Sequence, residues 1–263
     1  MNILAQRILN LVVSASMMFL LAAGPSQILR AQDAAQQQLT KEEIFQKSKA
    51  AYAALTSYSD DGTSFGTLNG LTAATTFSIR LSRPGLYRIA WQDSTSSPAM
   101  PKAKPEVVWS AGEGDFLDTG QRAKQQYSSQ DDALAAASGS SKAGAIPAAF
   151  FNAKWGNPFS FLSKGLLRQA DERVGDVDCY ILTGESSGRT TTVWIGKQDF
   201  LIHQLRETIS AAAMKIFEGP GGLISPPDAP KTSVTEFTSV ETHSNIVVNQ
   251  KFVAADFVPA KSQ

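Results

Sequence analysis

The sequence predicts an α+β domain built mainly from antiparallel strands, and three patterns predict it. Residues 39–55 place apolar side chains at helical spacing, as one amphipathic helix does. Residues 75–91 instead alternate apolar and polar side chains around the turn Arg83-Pro84-Gly85, which is typical of a β-hairpin. Residues 177–209 repeat the alternation in three segments separated by turn residues, so they predict a three-stranded meander.

The helix is the first element of the predicted domain. Thr40 and Glu43 have the spacing of a capping box, in which each side chain bonds the backbone N–H of the other residue. Ile44, Tyr52 and Leu55 fall on one face of the helix, while lysines occupy the other. We therefore expect this helix to lie on an apolar surface.

The other elements are short. Phe-rich pieces at 146–151 and 158–167 are broken by Pro and Gly, so they cannot fold alone and must lie against a larger surface. Residues 94–105 and 219–230 have the composition of surface loops. The remaining predicted elements are strands at 107–109, 115–117 and 123–128, an Ala-rich helix from Ser129 to before Gly139, and closing strands at 233–240 and 250–257.

Residues 1–31 have the pattern of a secretory signal peptide. Arg7 precedes an apolar stretch from Ile8 to Ala23, and Gly24-Pro25 ends it. The stretch carries polar interruptions and is shorter than the about 20 apolar residues that cross a membrane. An uncleaved membrane anchor is the alternative interpretation.

We expect cleavage after Ala31, with Ala23 as an earlier alternative. No Cys lies near this junction, so we expect no lipid anchor on an N-terminal cysteine. Residues 32–263 show no change of composition that would divide them, and they predict a single exported domain. The expected location is the periplasm.

Composition excludes several kinds of protein. Lys plus Arg equals Asp plus Glu at 24 each, so no net positive charge favours nucleic acid as a partner. The single cysteine, Cys179, excludes an internal disulfide, and two histidines are too few for a common closed zinc site. We expect no metal and no cofactor.

Catalytic motifs are absent from the sequence, which predicts a protein that is not an enzyme. There is no nucleophile elbow, no H-E-x-x-H, no Walker loop and no dinucleotide fingerprint. His203 lies inside a predicted strand, where we expect a neutral histidine bonded to a neighbour. His243 lies beside Glu241 in a polar segment, where we expect it to be solvated.

Other reactive side chains have structural interpretations. Ser140 and Lys142 lie in a Gly- and Ala-rich stretch that is too flexible for a Ser–Lys dyad. Cys179 alternates with apolar neighbours and is expected to be a small buried hydrophobe. Three pairs of aspartates are expected to serve turns and helix caps: Asp60 with Asp61, Asp131 with Asp132, and Asp176 with Asp178.

Four segments together carry a family resemblance. Ile79–Ile89, two alternating strands joined through Arg83-Pro84, resembles a signature of the periplasmic lipoprotein carrier LolA and its outer-membrane relative LolB. Val107–Leu117, Leu201–Leu205 and Ala254–Pro259 resemble further segments of that superfamily. The resemblance spans most of residues 32–263.

The resemblance implies a curved antiparallel sheet that forms an incomplete, half-open β-barrel covered by helices. In that family, the concave side of the sheet holds an apolar cavity for the acyl chains of lipoproteins. Family carriers are soluble and family acceptors are lipid-anchored, so the absence of an N-terminal cysteine favours the carrier.

The resemblance also implies the site residues. The Arg of the Arg-Pro pair is associated with lid contacts, so Arg83 is the expected gate, with a surface ion pair as the alternative. A filled core would show the same alternation as a cavity lining, so the sequence leaves both open. The expected lining consists of Phe77, Ile79, Leu81, Tyr87, Ile89, Trp91, Trp109 and Phe116.

The leading hypothesis is therefore an exported carrier that binds an acyl chain, a lipoprotein or another hydrophobic ligand. Its further partners would be transient ones in the inner or outer membrane. A regulatory or sensor protein of the envelope, which binds a segment of a membrane partner on the same fold, is the alternative. A hydrolase whose groups meet only in three dimensions is the third hypothesis.

Overall fold

A computed structural model of the chain describes residues 39–68, 71–94, 104–119, 124–141, 145–151, 159, 162, 165–186, 188–213 and 236–259. The signal-peptide pattern, the loop at 219–230 and Lys142 of the rejected dyad lie outside these residues, as does most of the loop at 94–105. The compact unit that contains the described sheet runs from Lys41 to Gln263.

Within the described ranges, three α-helices have both ends described, and residues 211–213 are helical as well. The three are α1 (Lys41–Ala54), α2 (Gln130–Ser141) and α3 (Ala145–Phe151), and Ala254–Phe257 adds a 3₁₀ turn. No helix within the described ranges is long and apolar enough to cross a membrane. The strands are β1 (Ser57–Leu68), β2 (Leu71–Ser82), β3 (Leu86–Ser94), β4 (Glu106–Ser110), β5 (Phe116–Asp118), β6 (Gln125–Gln126), β7 (Leu167–Val174), β8 (Val177–Ser186), β9 (Arg189–Gly196), β10 (Ile202–Ser210) and β11 (Glu236–Val248).

The strands form one antiparallel sheet in the order β6-β5-β4-β3-β2-β1-β11-β10-β9-β8-β7. Strands β1 to β6 and β7 to β11 are two meanders, and the pairing of β1 with β11 joins them. The sheet is curved and not closed, since β6 and β7 stand at its two ends. The expected α+β class, with an incomplete barrel and helices, is confirmed.

The helices lie on one side of this sheet. Tyr52 of α1 is in ring contact with Tyr58 of β1, at a centroid distance of 6.3 Å, and stacks on Phe150 of α3 at 4.6 Å. We call the side of Tyr58 the helix-covered face. Because side chains alternate along a strand, Ser59 lies on the other side, which we call the opposite face.

Most of the predicted elements are present with shifted ends. The helix predicted to end before Gly139 runs to Ser141, and the strand predicted at 123–128 shrinks to two residues. Ser129 caps α2 as expected, since its Oγ accepts from the N–H of Asp132 at 3.1 Å. The closing strand predicted at 250–257 is wrong, because this segment makes local i to i+3 bonds, such as Asp256 N–H to Val253 O.

The interpretation of Asp60 and Asp61 as turn residues is also wrong. Both lie inside β1. Because β1 is rich in glycine, serine and aspartate, it lacks the alternation of apolar and polar residues by which a strand is recognised in a sequence. Asp60 is buried because the Tyr58 hydroxyl and the His243 ring bond its carboxylate. Tertiary partners therefore decide the conformation of these residues.

Gly62 of β1 provides a test of the close approach between strands. A Cβ at this position would lie 2.2 Å from Cζ of Phe77 and 2.3 Å from the Thr242 carbonyl oxygen. We expect Gly62→Ala to lower the free energy of unfolding by about 3 kcal/mol, because a backbone atom cannot move aside as a flexible side chain can. Urea denaturation followed by circular dichroism measures this loss.

Gly66 of the same strand is the matched control. A Cβ there would meet the Phe237 ring at 3.4 Å, which is ordinary contact, so Gly66→Ala should change stability by less than about 1 kcal/mol. Equal stability of the two variants would contradict the packing described for Gly62.

Candidate ligand-binding face

Six of the eight expected lining residues come together on the helix-covered face. They form three directly opposed pairs between β2 and β3, and each side chain is at most 5% exposed. Val108 of β4 lies opposite Ile89 and extends the apolar surface by one strand. The pairs are Phe77 with Trp91, Ile79 with Ile89, and Leu81 with Tyr87.

Trp109 and Phe116, the other two, lie on the opposite face. Trp109 pairs with Arg88, which alternates with Ile89, and Phe116 pairs with Trp109 at a ring centroid distance of 4.9 Å. The Lys124 ammonium lies 3.5 Å from the centre of the Phe116 ring. The strand register therefore places these two side chains on the other side of the sheet from the six. Because neighbouring residues of a strand face opposite sides, placing Val108 on the helix-covered face would have put Trp109 on the opposite face.

The described cover over the six residues includes several small buried side chains. Helix α2 packs on β2, β3 and β4 and against α3. Its buried positions include Ala133, Leu134 and Ala137, which fall at helical spacing and are at most 1% exposed. Ala148 of α3 is fully buried as well. Apart from Leu134, these buried side chains are methyl groups.

Arg83 fastens this cover to the end of the β2–β3 hairpin. Its Nη2 donates to the Phe150 carbonyl oxygen of α3 at 2.8 Å, and its Nε donates to the Leu55 carbonyl oxygen at 3.0 Å. The guanidinium also lies 4.8 Å from the centre of the Phe151 ring. The side chain thus links the hairpin turn, the end of α1 and the end of α3.

An aromatic cluster closes the neighbouring part of the helix-covered face. Phe159 packs edge-on to Phe45 at 5.2 Å, to Phe150 at 5.3 Å and to Tyr52 at 6.4 Å. The Tyr52 hydroxyl accepts a hydrogen bond from the backbone N–H of Ile202 at 3.1 Å. This part of the cover is therefore held by large rings and a buried hydrogen bond.

A buried polar cluster lies beside Ile79 on the same face. The His243 ring donates through Nδ1 to Asp60 and through Nε2 to Glu241 at 2.9 Å. The Tyr58 hydroxyl donates to the same Asp60 carboxylate at 2.6 Å. The interpretation of His243 as solvated is wrong, because its side chain is only 3% exposed. Its partner Asp60 lies 183 residues away in sequence, so no local pattern reveals it.

The two carboxylates control the charge of His243. Burial alone lowers the pKa of this imidazole, but hydrogen bonds and attraction from Asp60 and Glu241 outweigh burial and raise the pKa to about 10. At neutral pH the ring is therefore a cation between two anions. Burial, with the negative charge of Asp60, also raises the pKa of Tyr58.

Two other reactive side chains make contacts within the fold. His203 lies in β10 and bonds the Asp199 carboxylate at 2.9 Å. Cys179 is fully buried beside Ile181 and Trp194, and burial raises the pKa of its thiol to about 11. A thiol in this state is a weak nucleophile at neutral pH.

Open cavities within the described ranges lie elsewhere. One of about 440 Å³ lies by His203 and His243, and one of about 410 Å³ lies by Gly62 and Thr76. A third, of about 320 Å³, lies between Arg80 and Arg88. Of the six residues on the helix-covered face, Phe77 contributes to the second cavity and Ile79 to the third. None of these three cavities is lined by more than one of the six residues.

Comparison with known proteins gives similarities of fold. No family model matches the chain, and no curated protein matches it. A chain of the Pseudomonas aeruginosa MucA/MucB complex matches 84% of this chain at 9% identity and a TM-score of 0.42. This chain covers 61% of that one, about three fifths of its length.

Two further solved structures match nearly their whole length. LprF from Mycobacterium bovis has a TM-score of 0.40 at 10% identity, over 78% of this chain and 92% of that chain. A LolA superfamily protein from Nitrosomonas europaea has a TM-score of 0.34 at 12% identity, over 84% and 99%. The likeness to the LolA superfamily that the sequence predicts is thus found again as a likeness of fold.

His243 makes stability depend on pH. Its pKa is about 10 in the folded chain and ordinarily 6.5, so its stabilising contribution is complete below about pH 6.5 and declines as the pH rises towards 10. We expect His243→Gln to remove this decline. We also expect it to lower the free energy of unfolding at pH 7 by about 3–5 kcal/mol, because two buried carboxylates lose their cation.

Urea denaturation of both proteins between pH 6.5 and 10 measures the two effects. His203→Gln is the control, because Asp199 is 39% exposed and water can replace the lost bond. We expect this control to lose about 1 kcal/mol or less and to keep the pH dependence. A wild-type stability that does not fall over this pH interval would contradict the assigned charge of His243.

Proposed function

We propose that this protein binds a hydrophobic ligand with an acyl chain on the helix-covered face of β2, β3 and β4, under helices α2 and α3. The ligand displaces helix α2 and is held by burial, without covalent chemistry. Phe77, Ile79, Leu81, Tyr87, Ile89 and Trp91 form the surface that it contacts, and Arg83 governs its entry.

One observation carries this proposal: a broad apolar surface lies beneath a thin, alanine-rich cover. The six residues have bulky side chains, whereas α2 contributes two alanines and Leu134 to its buried positions. The neighbouring cover around Tyr52 is closed by rings and a hydrogen bond to Ile202 instead. The sheet therefore has one firmly held part and one that is easier to open.

The free energies of burial and association favour displacement of the cover by an acyl chain. An acyl chain of about 14 methylenes contributes about 11 kcal/mol on burial, at about 0.8 kcal/mol per methylene. Association costs at least about 4 kcal/mol, which leaves about 7 kcal/mol. Exposing Leu134 costs about 2–3 kcal/mol and the alanine methyl groups less. The remainder exceeds that cost, so exchanging the cover for a long acyl chain is favourable.

A regulatory protein that adds a partner's strand to the sheet is less well supported. Strand β7 is the described edge that is long enough to accept such a strand. It carries Arg168, Asp171, Glu172 and Arg173, with a register shift between Gln169 and Glu172. Charges and bulges at a sheet edge oppose pairing with another chain.

We also propose that the protein acts after export to the periplasm. The signal-peptide pattern of residues 1–31 supports this location. A ligand such as a lipoprotein or a free lipid, with a membrane protein as transient donor or acceptor, fits a carrier in that compartment.

Fluorescence quenching by a brominated fatty acid tests the site. Trp91 is 5% exposed on the helix-covered face, and Trp194 is 4% exposed in the Cys179 cluster on the opposite face. Bromine quenches an indole only at short range, so we expect quenching in the wild type and in Trp194→Phe. We expect it to fall by more than half in Trp91→Phe. Quenching carried by Trp194, or none at all, would refute the proposal.

Arg83 provides a test of the cover. Arg83→Gln removes the bonds to the carbonyl oxygens of Leu55 and Phe150, which weakens the closed state by about 1.4 kcal/mol. We expect the brominated acid to bind about tenfold faster in stopped-flow quenching. Arg173→Gln, which removes an exposed ion pair between Arg173 of β7 and Asp178 of β8, should leave the rate unchanged. An unchanged rate in Arg83→Gln would contradict the role of Arg83 as gate.

A further inference from the structure

A row of hydrogen-bond donors crosses the opposite face of the sheet. Ser59 of β1 pairs with Arg80 of β2, Arg80 with Arg88 of β3, and Arg88 with Trp109 of β4. Neighbouring strands lie about 4.8 Å apart, so the row extends over about 14 Å. No member of this row belongs to the six residues of the helix-covered face.

Arg88 is the unusual member of this row. Its side chain is partly buried, and within the described residues it has no hydrogen bond and no ion pair. Burial, together with the positive charge of Arg80, lowers the pKa of Arg88. Like charges directly opposite each other destabilise a sheet, and a partly buried charge without a partner adds to that cost. An anion placed between the two arginines would remove both costs.

Arg80 is held in position beside Arg88. One of its Nη1 hydrogens is donated to the Asp256 carbonyl oxygen, and its guanidinium lies 5.2 Å from the centre of the Phe252 ring. A guanidinium carries five N–H donors, and this bond uses one of them. The C-terminal segment thus fixes Arg80 and leaves donors for a ligand.

The cavity of about 320 Å³ between these arginines supplies further donors. Its lining includes the hydroxyl-bearing residues Ser59 and Ser78, for which the described part of the chain offers no side-chain hydrogen bond. Its lining also includes two acidic residues, Asp60 and Asp61. Asp61 lies one row away, opposite Ser78, and one of its oxygens accepts from Asn245 at 3.2 Å. The Asp60 carboxylate serves the helix-covered face through His243. The arginines therefore outnumber the acids that face them.

The buried indole of Trp109 adds an independent observation. Its Nε1 is inaccessible to solvent and has no hydrogen-bond partner among the described residues. It is the next position in the row after Arg88. Buried donors are normally satisfied, so the row presents more donors than the described residues can pair.

We infer that Arg80 and Arg88 bind a phosphate group on the opposite face of the sheet. A carboxylate satisfies one guanidinium fork with its two oxygens, whereas the several oxygens of a phosphate can bridge two guanidinium groups and the neighbouring hydroxyls. The phosphate belongs to a free phosphorylated compound or to a lipid headgroup. The two arginine side chains lie on the face away from the acyl-binding surface, although Ile79 contributes to both sites. Phosphate binding and acyl binding are measured separately, so either can fail without the other.

Inorganic phosphate is the first probe. We expect phosphate at constant ionic strength to raise the Tm of the wild-type chain, because it binds the folded state. We expect Arg88→Gln to bind phosphate at least tenfold more weakly by calorimetry. Without phosphate, Arg88→Gln should have a Tm about 2–4 °C higher than the wild type, because an unpaired charge is lost. This variant should therefore fold.

Arg206→Gln is the matched control. Arg206 is an exposed arginine on β10, 5.1 Å from the Trp194 ring on the same face and away from the row. We expect this variant to bind phosphate as the wild type does. Phosphate binding that is equal in Arg88→Gln and Arg206→Gln, or absent from the wild type, would overturn the inference.

Vesicles separate the two sources of the phosphate group. Flotation with phosphatidylcholine vesicles that contain phosphatidic acid, competed by inorganic phosphate and lost in Arg88→Gln, would support a lipid headgroup. Binding of inorganic phosphate without vesicle binding would support a free phosphorylated compound. Vesicle binding that persists in Arg88→Gln, together with no binding of inorganic phosphate, would contradict the site.

Discussion

The pairing of β1 with β11 is the constraint on which the rest of the structure depends. It joins two meanders that are each continuous in sequence, and it connects residues near the two ends of the described chain. The cation of His243 and the carboxylate of Asp60 meet across this seam. A buried ion pair adds little net stability, but a shifted register would leave both charges unpaired. The cluster therefore favours this register over a shifted one.

The seam also positions both faces. Tyr58, Asp60 and Gly62 face the helices, while Ser59 faces the other way. Alternation from this strand places Ile79 and Ile89 under the cover and Arg80 and Arg88 on the outside. The β2–β3 hairpin thus has apolar side chains on one face and the row of hydrogen-bond donors on the other. Its register determines which side chains lie on each face.

The elements predicted correctly from the sequence are those with a regular local pattern of apolar residues. The β2–β3 hairpin, the meander from 177 to 209 and the helix at 39–55 all have strong alternation or helical spacing, and all are present. The six residues of the helix-covered face follow from the same alternation. Residues 57–68 show no such pattern, because β1 lies between two strands and is stabilised by contacts distant in sequence.

Contacts between segments distant in sequence explain the features that periodicity could not predict. His243 is buried because Asp60 and Glu241 hold it, and Asp60 is far away in sequence. The side of the sheet that Trp109 occupies depends on its register with Arg88. The resemblance pointed to Arg83, whose bonds to Leu55 and Phe150 only the tertiary structure reveals.

Arg83 donates its hydrogen bonds to main-chain carbonyl oxygens, which affects which sequence changes the protein can tolerate. Every amino acid has a carbonyl group, so positions 55 and 150 can be substituted without removing the acceptors. The side chains of α2 and α3 are then free to vary in size and shape while the fastening persists. One arginine can thus keep these segments joined while the side chains between them change in size and shape.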